Sequence, residues 1–119
     1  MEDYNYHKVG EHNIAYRRTG TGEPMLLVHG ITTYSFIWRN LMPAWAENFD
    51  VIAVDMLGCG ESDKPTGVDY SISAQADLLF EFMDSLGIKR FHLVAHDIGG
   101  GVAQIMSVRR PDSVIDMVL

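Results

Sequence analysis

Phe91-His92-Leu93-Val94-Ala95-His96-Asp97-Ile98-Gly99-Gly100-Gly101 is the stretch whose spacing decides the fold. Phe91 to Ala95 reads as a strand, and Ile98 to Arg109 reads as a helix that Pro111 ends. Only a tight turn centred on Asp97 fits between them. The residues two before and two after that centre are small, Ala95 and Gly99. A sharp strand-to-helix turn demands this, because larger side chains there would strike the neighbouring strand and helix. The spacing is that of a nucleophile elbow, a strained turn that lifts its central side chain above the sheet edge. Asp97 would then stand at a helix N-terminus, where the dipole favours an anion, with the Ile98 N–H directed at the same space. A second reading stays open at this point: Asp is a favoured N-cap residue, and Asp97 could serve as one.

Working outward, Met25 to Val28 and Val51 to Val54 are apolar at every position. Strands buried on both faces look like this, and they belong to sheets covered by helices. Ser73 to Leu86 predicts a helix, with Ala76, Leu79, Phe80, Met83 and Leu86 on one face and Gly87 as its C-cap. Phe36 to Glu47 places Ile37, Trp38, Leu41 and Trp45 near helical spacing, with Pro43 its weak point. Tyr4 to Val9 and His12 to Thr19 form an opening hairpin turned at Gly10-Glu11, and Val114 to Leu119 reads as a last strand. The expectation is an α/β fold of about six strands and three main helices. An antiparallel hairpin leads into a mostly parallel sheet with right-handed crossovers.

The 119 residues suit one domain. With 47% apolar and 21% charged residues, the composition excludes disorder. No apolar stretch approaches the roughly 20 residues that span a bilayer, and Met1-Glu2-Asp3-Tyr4 is too acidic for a signal peptide. No membrane partner is therefore expected. Nine Lys+Arg against 16 Asp+Glu leave a net charge of −7 with no basic stripe, which excludes nucleic acid. One cysteine, Cys59, excludes an internal disulfide and a thiolate zinc cluster. A reducing cytoplasm is the default compartment, and neither metal nor cofactor is expected. A dinucleotide site fails, because the glycine pattern begun at Gly99 meets Gln104 and the one begun at Gly58 meets Asp63. Cys59 reads as a loop cysteine or a reactive thiol, and Asp55 as a strand-end carboxylate that binds loop amides.

Four segments occur in order along nearly the whole chain. They are Val28-His29-Gly30, Trp38-Arg39-Asn40-Leu41-Met42-Pro43, the run from Asp55-Met56-Leu57-Gly58 to Asp63-Lys64-Pro65, and Val94-Ala95-His96-Asp97-Ile98-Gly99-Gly100. Together they resemble the N-terminal part of an α/β-hydrolase-fold protein. The Asp at the elbow resembles the haloalkane dehalogenase and epoxide hydrolase branch. That resemblance implies Asp97 as a nucleophile toward a small apolar substrate such as an epoxide or alkyl halide, through an alkyl–enzyme ester that a histidine-activated water then cleaves. It implies the Ile31 and Ile98 N–H groups as the oxyanion hole. It makes His29 and Gly30 supports of the loop rather than a base. Trp38 would face the substrate pocket or pack in the core.

Two positions depart from the branch. Ile98 stands where the branch carries Trp, and Ile31 where dehalogenases carry Asn, so neither side chain can hold a halide. The family's acid, general-base His and helical lid come later in its fold. They are expected outside residues 1–119, because none of His7, His12, His29, His92 and His96 is suitably placed as base. The chain thus reads as the N-terminal portion of one domain, catalytically incomplete by itself. The other reading is a non-catalytic fragment or interaction module, one that self-associates or pairs with a complementary chain through an open sheet edge.

Overall fold

The computed structural model describes residues 4–119; Met1, Glu2 and Asp3, read above as no signal peptide, lie outside them. The strands are β1 (Asn5–Val9), β2 (His12–Thr19), β3 (Glu23–Val28), β4 (Phe49–Val54), β5 (Phe91–Ala95) and β6 (Val114–Val118). The helices are α1 (Met42–Trp45), α2 (Ile72–Ser85) and α3 (Ile98–Arg109), with a 3-10 turn at Ser35–Trp38. The sheet order is β1-β2-β4-β3-β5-β6. β1 pairs antiparallel with β2, and β2 with β4; the remaining neighbours run parallel. This is the expected architecture.

The central strands are buried on both faces, and their alternation sorts the core into two layers. Leu26, Val28, Ile52, Val54 and Leu93 point to the side covered by Leu79, Phe80 and Met83 of α2 and Val102 and Met106 of α3. Met25, Leu27, Val51 and Ala53 point to the other side, under Trp38 and Met42. Each buried Val, Leu, Ile, Met or Phe side chain, once removed from water, stabilises the fold by about 1.5–3 kcal/mol. Tyr16 meets Phe82 edge to face at 5.2 Å beneath the hairpin.

The helix expected over Phe36 to Glu47 is broken in two. Pro43 lacks an N–H, and its ring would strike the carbonyl one turn back, so no helix passes through it. It sits instead in the first turn of α1, where the missing donor costs nothing. Trp38, in the first piece, is 6% exposed and packed in the core with Met25 and Leu27. The pocket reading of Trp38 is corrected accordingly. α2 begins slightly earlier than expected, because the Ser71 hydroxyl caps it by accepting from the Ala74 N–H at 3.1 Å.

Candidate active site

β3 and β5 are adjacent and parallel, with Val28 beside Ala95, so their C-terminal loops meet at one sheet edge. The His96 N–H donates to the Val28 carbonyl at 3.1 Å, carrying the ladder up to the turn. Asp97 follows at φ 58°, ψ −124°. That is left-handed backbone, rare for a residue with a side chain, and strain of this kind collects at functional sites. The Asp97 carboxylate makes no capping hydrogen bond to α3. Its Oδ2 accepts the Ile31 N–H at 3.0 Å. The Ile31 amide first, then the Ile98 amide, holds its carboxyl below the ordinary range against a small opposing effect of desolvation. Of the two readings of Asp97, the geometry is that of the elbow and not of the cap.

The loops come this close because two residues lack side chains. A Cβ on Gly99 would stand 2.4 Å from the His29 carbonyl oxygen and 2.6 Å from that of Val28. A Cβ on Gly30 would stand 2.6 Å from the Asp97 Cβ. Thr32, just past Ile31, also has a positive φ of 57°.

His29 is fully buried. Its Nε2 accepts the Met56 N–H at 3.0 Å, so Nδ1 carries the proton and donates to the Gly30 carbonyl at 2.8 Å. Burial lowers its pKa, with the Gly30 contact and the Asp55 charge opposing. The ring is a neutral brace between the loops after β3 and β4. Asp55 braces the same two loops in the reverse sense. Its Oδ1 accepts the Ser35 N–H at 2.7 Å and its Oδ2 the Glu61 N–H at 2.9 Å. The second loop bends close over it at Gly60, where φ is +51° and a Cβ would fall 2.2 Å from Oδ2.

Beside Asp97 opens a pocket of about 650 Å³. Gly30, Ile31 and Ile98 line it next to the elbow, and Met56, Leu57, Tyr70, Ile72, Gln75 and Val102 complete much of its wall. Trp38 does not line it. Cys59 does, half-buried, and burial first and the Asp55 charge second push its pKa up, so the thiol stays protonated. Val102 was legible in principle, one helical turn after Ile98 on the same face. The others come from loops and from the start of α2, and no sequence period marks them.

Of the remaining histidines, His92 faces the sheet surface between Asp116 at 2.7 Å and Glu23 at 3.3 Å. His7 and His12 lie in the hairpin. Among the described residues, no group of three or more His, Cys, Asp or Glu is placed to hold a metal ion, and no helix is long and apolar enough to cross a membrane.

Residues 23–119 match the family model described as the alpha/beta hydrolase fold. The chain is 40% identical over 106 residues to "Haloalkane dehalogenase 2" of Mycobacterium tuberculosis, across 89% of this chain and 37% of that protein. It is 38% identical over 102 residues to "Fluoroacetate dehalogenase" of a Burkholderia species, across 82% of this chain and 34% of that protein. The solved structure titled "Epoxide hydrolase CorEH without ligand" superposes with a TM-score of 0.93 at 31% identity, covering 97% of this chain and 40% of that one. The chain thus spans between a third and two fifths of the length of these relatives.

Proposed function

Because the chain belongs to the alpha/beta hydrolase fold family, we propose that it carries the nucleophile half of a hydrolase acting on a small apolar epoxide or alkyl halide, with Asp97 as nucleophile. A carboxylate oxygen of Asp97 bonds to the substrate carbon as the carbon–halogen or carbon–oxygen bond breaks. The halide leaves with the electron pair, or the epoxide oxygen keeps it and takes a proton from water. Water then adds to the carbonyl of the resulting ester and gives up a proton to solvent. Charge builds on the Asp97 carboxyl oxygen, where the Ile31 and Ile98 N–H groups donate to it. The adduct collapses by breaking the bond from the carbonyl carbon to the alkoxy oxygen, which leaves as the alcohol with a proton taken from solvent and frees the Asp97 carboxylate. Neither His29, locked between Gly30 and Met56, nor His92, held by two carboxylates, is assigned as the base for that water. The alkyl side chains of Ile31 and Ile98 offer a departing halide no donor, which favours epoxides, whose oxygen stays attached. The relatives named as dehalogenases and the epoxide hydrolase structure support the reading. The observation that carries it is the Asp97 carboxylate at 3.0 Å from the Ile31 amide, on a strained turn at the rim of an apolar pocket.

The first bond-making step needs no base, so it tests the reading directly. The chain is incubated with an alkyl bromide or a terminal epoxide, quenched in acid and peptide-mapped by mass spectrometry. The alkyl ester is expected on Asp97 and is lost in Asp97→Asn. An adduct confined to Cys59, or none on Asp97, refutes it.

A second reading rests on β6, an edge strand of the sheet with Val118 62% exposed. An uncovered edge is a template for pairing with another chain. Self-association through it would appear as a dimer by light scattering, and a monodisperse monomer at high concentration counts against it.

A further inference from the structure

Apart from the exposed Thr32, four polar side chains that line the pocket are bonded to the protein's own backbone. The Tyr70 hydroxyl donates to the Pro65 carbonyl, with its ring seated over Gly58, where a Cβ would come within 2.7 Å of it. The Lys64 ammonium donates to the carbonyls of Gly60 and Ser62. The Ser71 oxygen accepts the Ala74 amide at the start of α2. Gln75 donates through Nε2 to the Leu57 carbonyl at 2.9 Å. Leu57 offers only an acceptor there, so the amide's orientation follows, and Oε1 must point away from it. That oxygen is different: Gln75 is 8% exposed, and its Oε1 has no hydrogen-bond partner among the described residues. A buried acceptor without a donor lowers stability until something donates to it.

We propose that Gln75 is a substrate-binding residue, and that the ligand of this pocket carries a neutral hydrogen-bond donor, an alcohol hydroxyl, which its Oε1 accepts. The ligand's body is alkyl, because Ile31, Met56, Leu57, Ile72, Ile98 and Val102 surround it. Its donor is uncharged, because the charged side chain among the lining residues is the Lys64 cation, which disfavours a second buried cation beside it. A carboxylate or ether end supplies no donor and leaves Oε1 as it is. Gln75 lines the pocket with its Oε1 just beneath the surface, so the ligand's hydroxyl has to draw out a small rotation about the soft last torsion that still keeps the Nε2–Leu57 bond. This inference rests on the pocket being the substrate's seat, but not on Asp97 being the nucleophile. It narrows the substrate to a hydroxylated alkyl compound.

Two unreactive probes of equal size test it, hexanol and methyl pentyl ether; neither carries a leaving group, so the outcome is independent of chemistry at Asp97. Each is titrated into the isotope-labelled chain, and the Gln75 side-chain amide signals are followed by NMR. Hexanol should bind about 3- to 10-fold more tightly than the ether, the range of one neutral hydrogen bond. It alone should move the Gln75 side-chain signals. In Gln75→Met the preference should vanish while ether affinity holds. Should that variant fail to fold, the ratio and the shifts in the unaltered chain decide. Equal affinities, equal Gln75 shifts with both probes, no binding of either, or a preference that survives Gln75→Met overturns the proposal.

Discussion

Alanine at Gly99 should destabilise the chain, while the same change at its neighbour Gly100 should stabilise it. The three consecutive glycines open one helix, so helix propensity alone treats them alike: alanine gains about 1 kcal/mol at each. Their surroundings do not. At Gly99 the new Cβ would fall 2.4 Å and 2.6 Å from the carbonyl oxygens of His29 and Val28. This is about 1 Å short of ordinary contact. Both oxygens belong to the main chain at the end of the central strand β3, so no rotamer change can make room. Forced overpacking of this kind costs up to about 3 kcal/mol, leaving a net loss of about 2 kcal/mol. For a chain of 119 residues, unfolding entropy near 2.1 cal/mol/K per residue translates each kcal/mol into about 4 °C. Gly99→Ala should therefore melt about 8 °C lower. At Gly100 the nearest atom to the added Cβ is the Leu119 Cδ2 at 3.8 Å, ordinary contact, so Gly100→Ala should melt about 4 °C higher. Gly101→Ala meets the end of the Ile72 side chain at 3.4 Å, which can shift, and should also gain. Thermal melts followed by circular dichroism compare all three. If Gly99→Ala melts within about 2 °C of Gly100→Ala, the steric reasoning about the elbow is wrong.

Three further outcomes are expected. Asp55→Ala strips the acceptor from the buried amide of Ser35 and from the amide of the exposed Glu61, so unfolding in urea should show a loss of about 1–3 kcal/mol; a loss under about 1 kcal/mol contradicts the brace. At His92, burial disfavours the charge, but hydrogen bonds and charges from Asp116 and Glu23 outweigh it and raise the pKa above 6.5. A raised folded pKa gives stability that is complete below 6.5 and fades as pH climbs through the folded value. The urea midpoint should therefore fall as pH rises above that point, and His92→Gln should flatten the trend; a midpoint that rises there refutes it. The Asp97 carboxyl is held below 3.8 by the Ile31 and Ile98 amides, so it is more than half ionised at that pH. Its alkylation rate should fall to half its plateau only below 3.8, and an inflection at or above 3.8 sinks the assignment.

What the sequence reveals of this molecule divides along a physical line. Constraints that act within a few residues are written at fixed spacing. Ala95, Asp97 and Gly99 predict the turn because each position has one steric demand; the structure shows that demand as a positive φ at Asp97 and as the carbonyl oxygens of His29 and Val28 facing Gly99. The apolar runs at Met25 and Val51 predict doubly buried strands because water is excluded from both sides, whatever covers them. Constraints that act between elements leave no such mark. Trp38 is apolar enough for a pocket or a core, and only its packing with Met25 and Leu27, residues of a distant strand, decides for the core. Asp97 at a helix start satisfies the sequence rule for a cap equally well. The choice falls to the elbow because the loop after β3 arrives with an N–H, a meeting of residues 66 positions apart. Gln75 is the extreme case. Within α2 it is one polar residue among several, and its unpartnered oxygen exists only because Leu57, on another loop, takes the amide's other end. A binding preference of that kind belongs to the assembled pocket, so it has to be sought in contacts rather than in motifs.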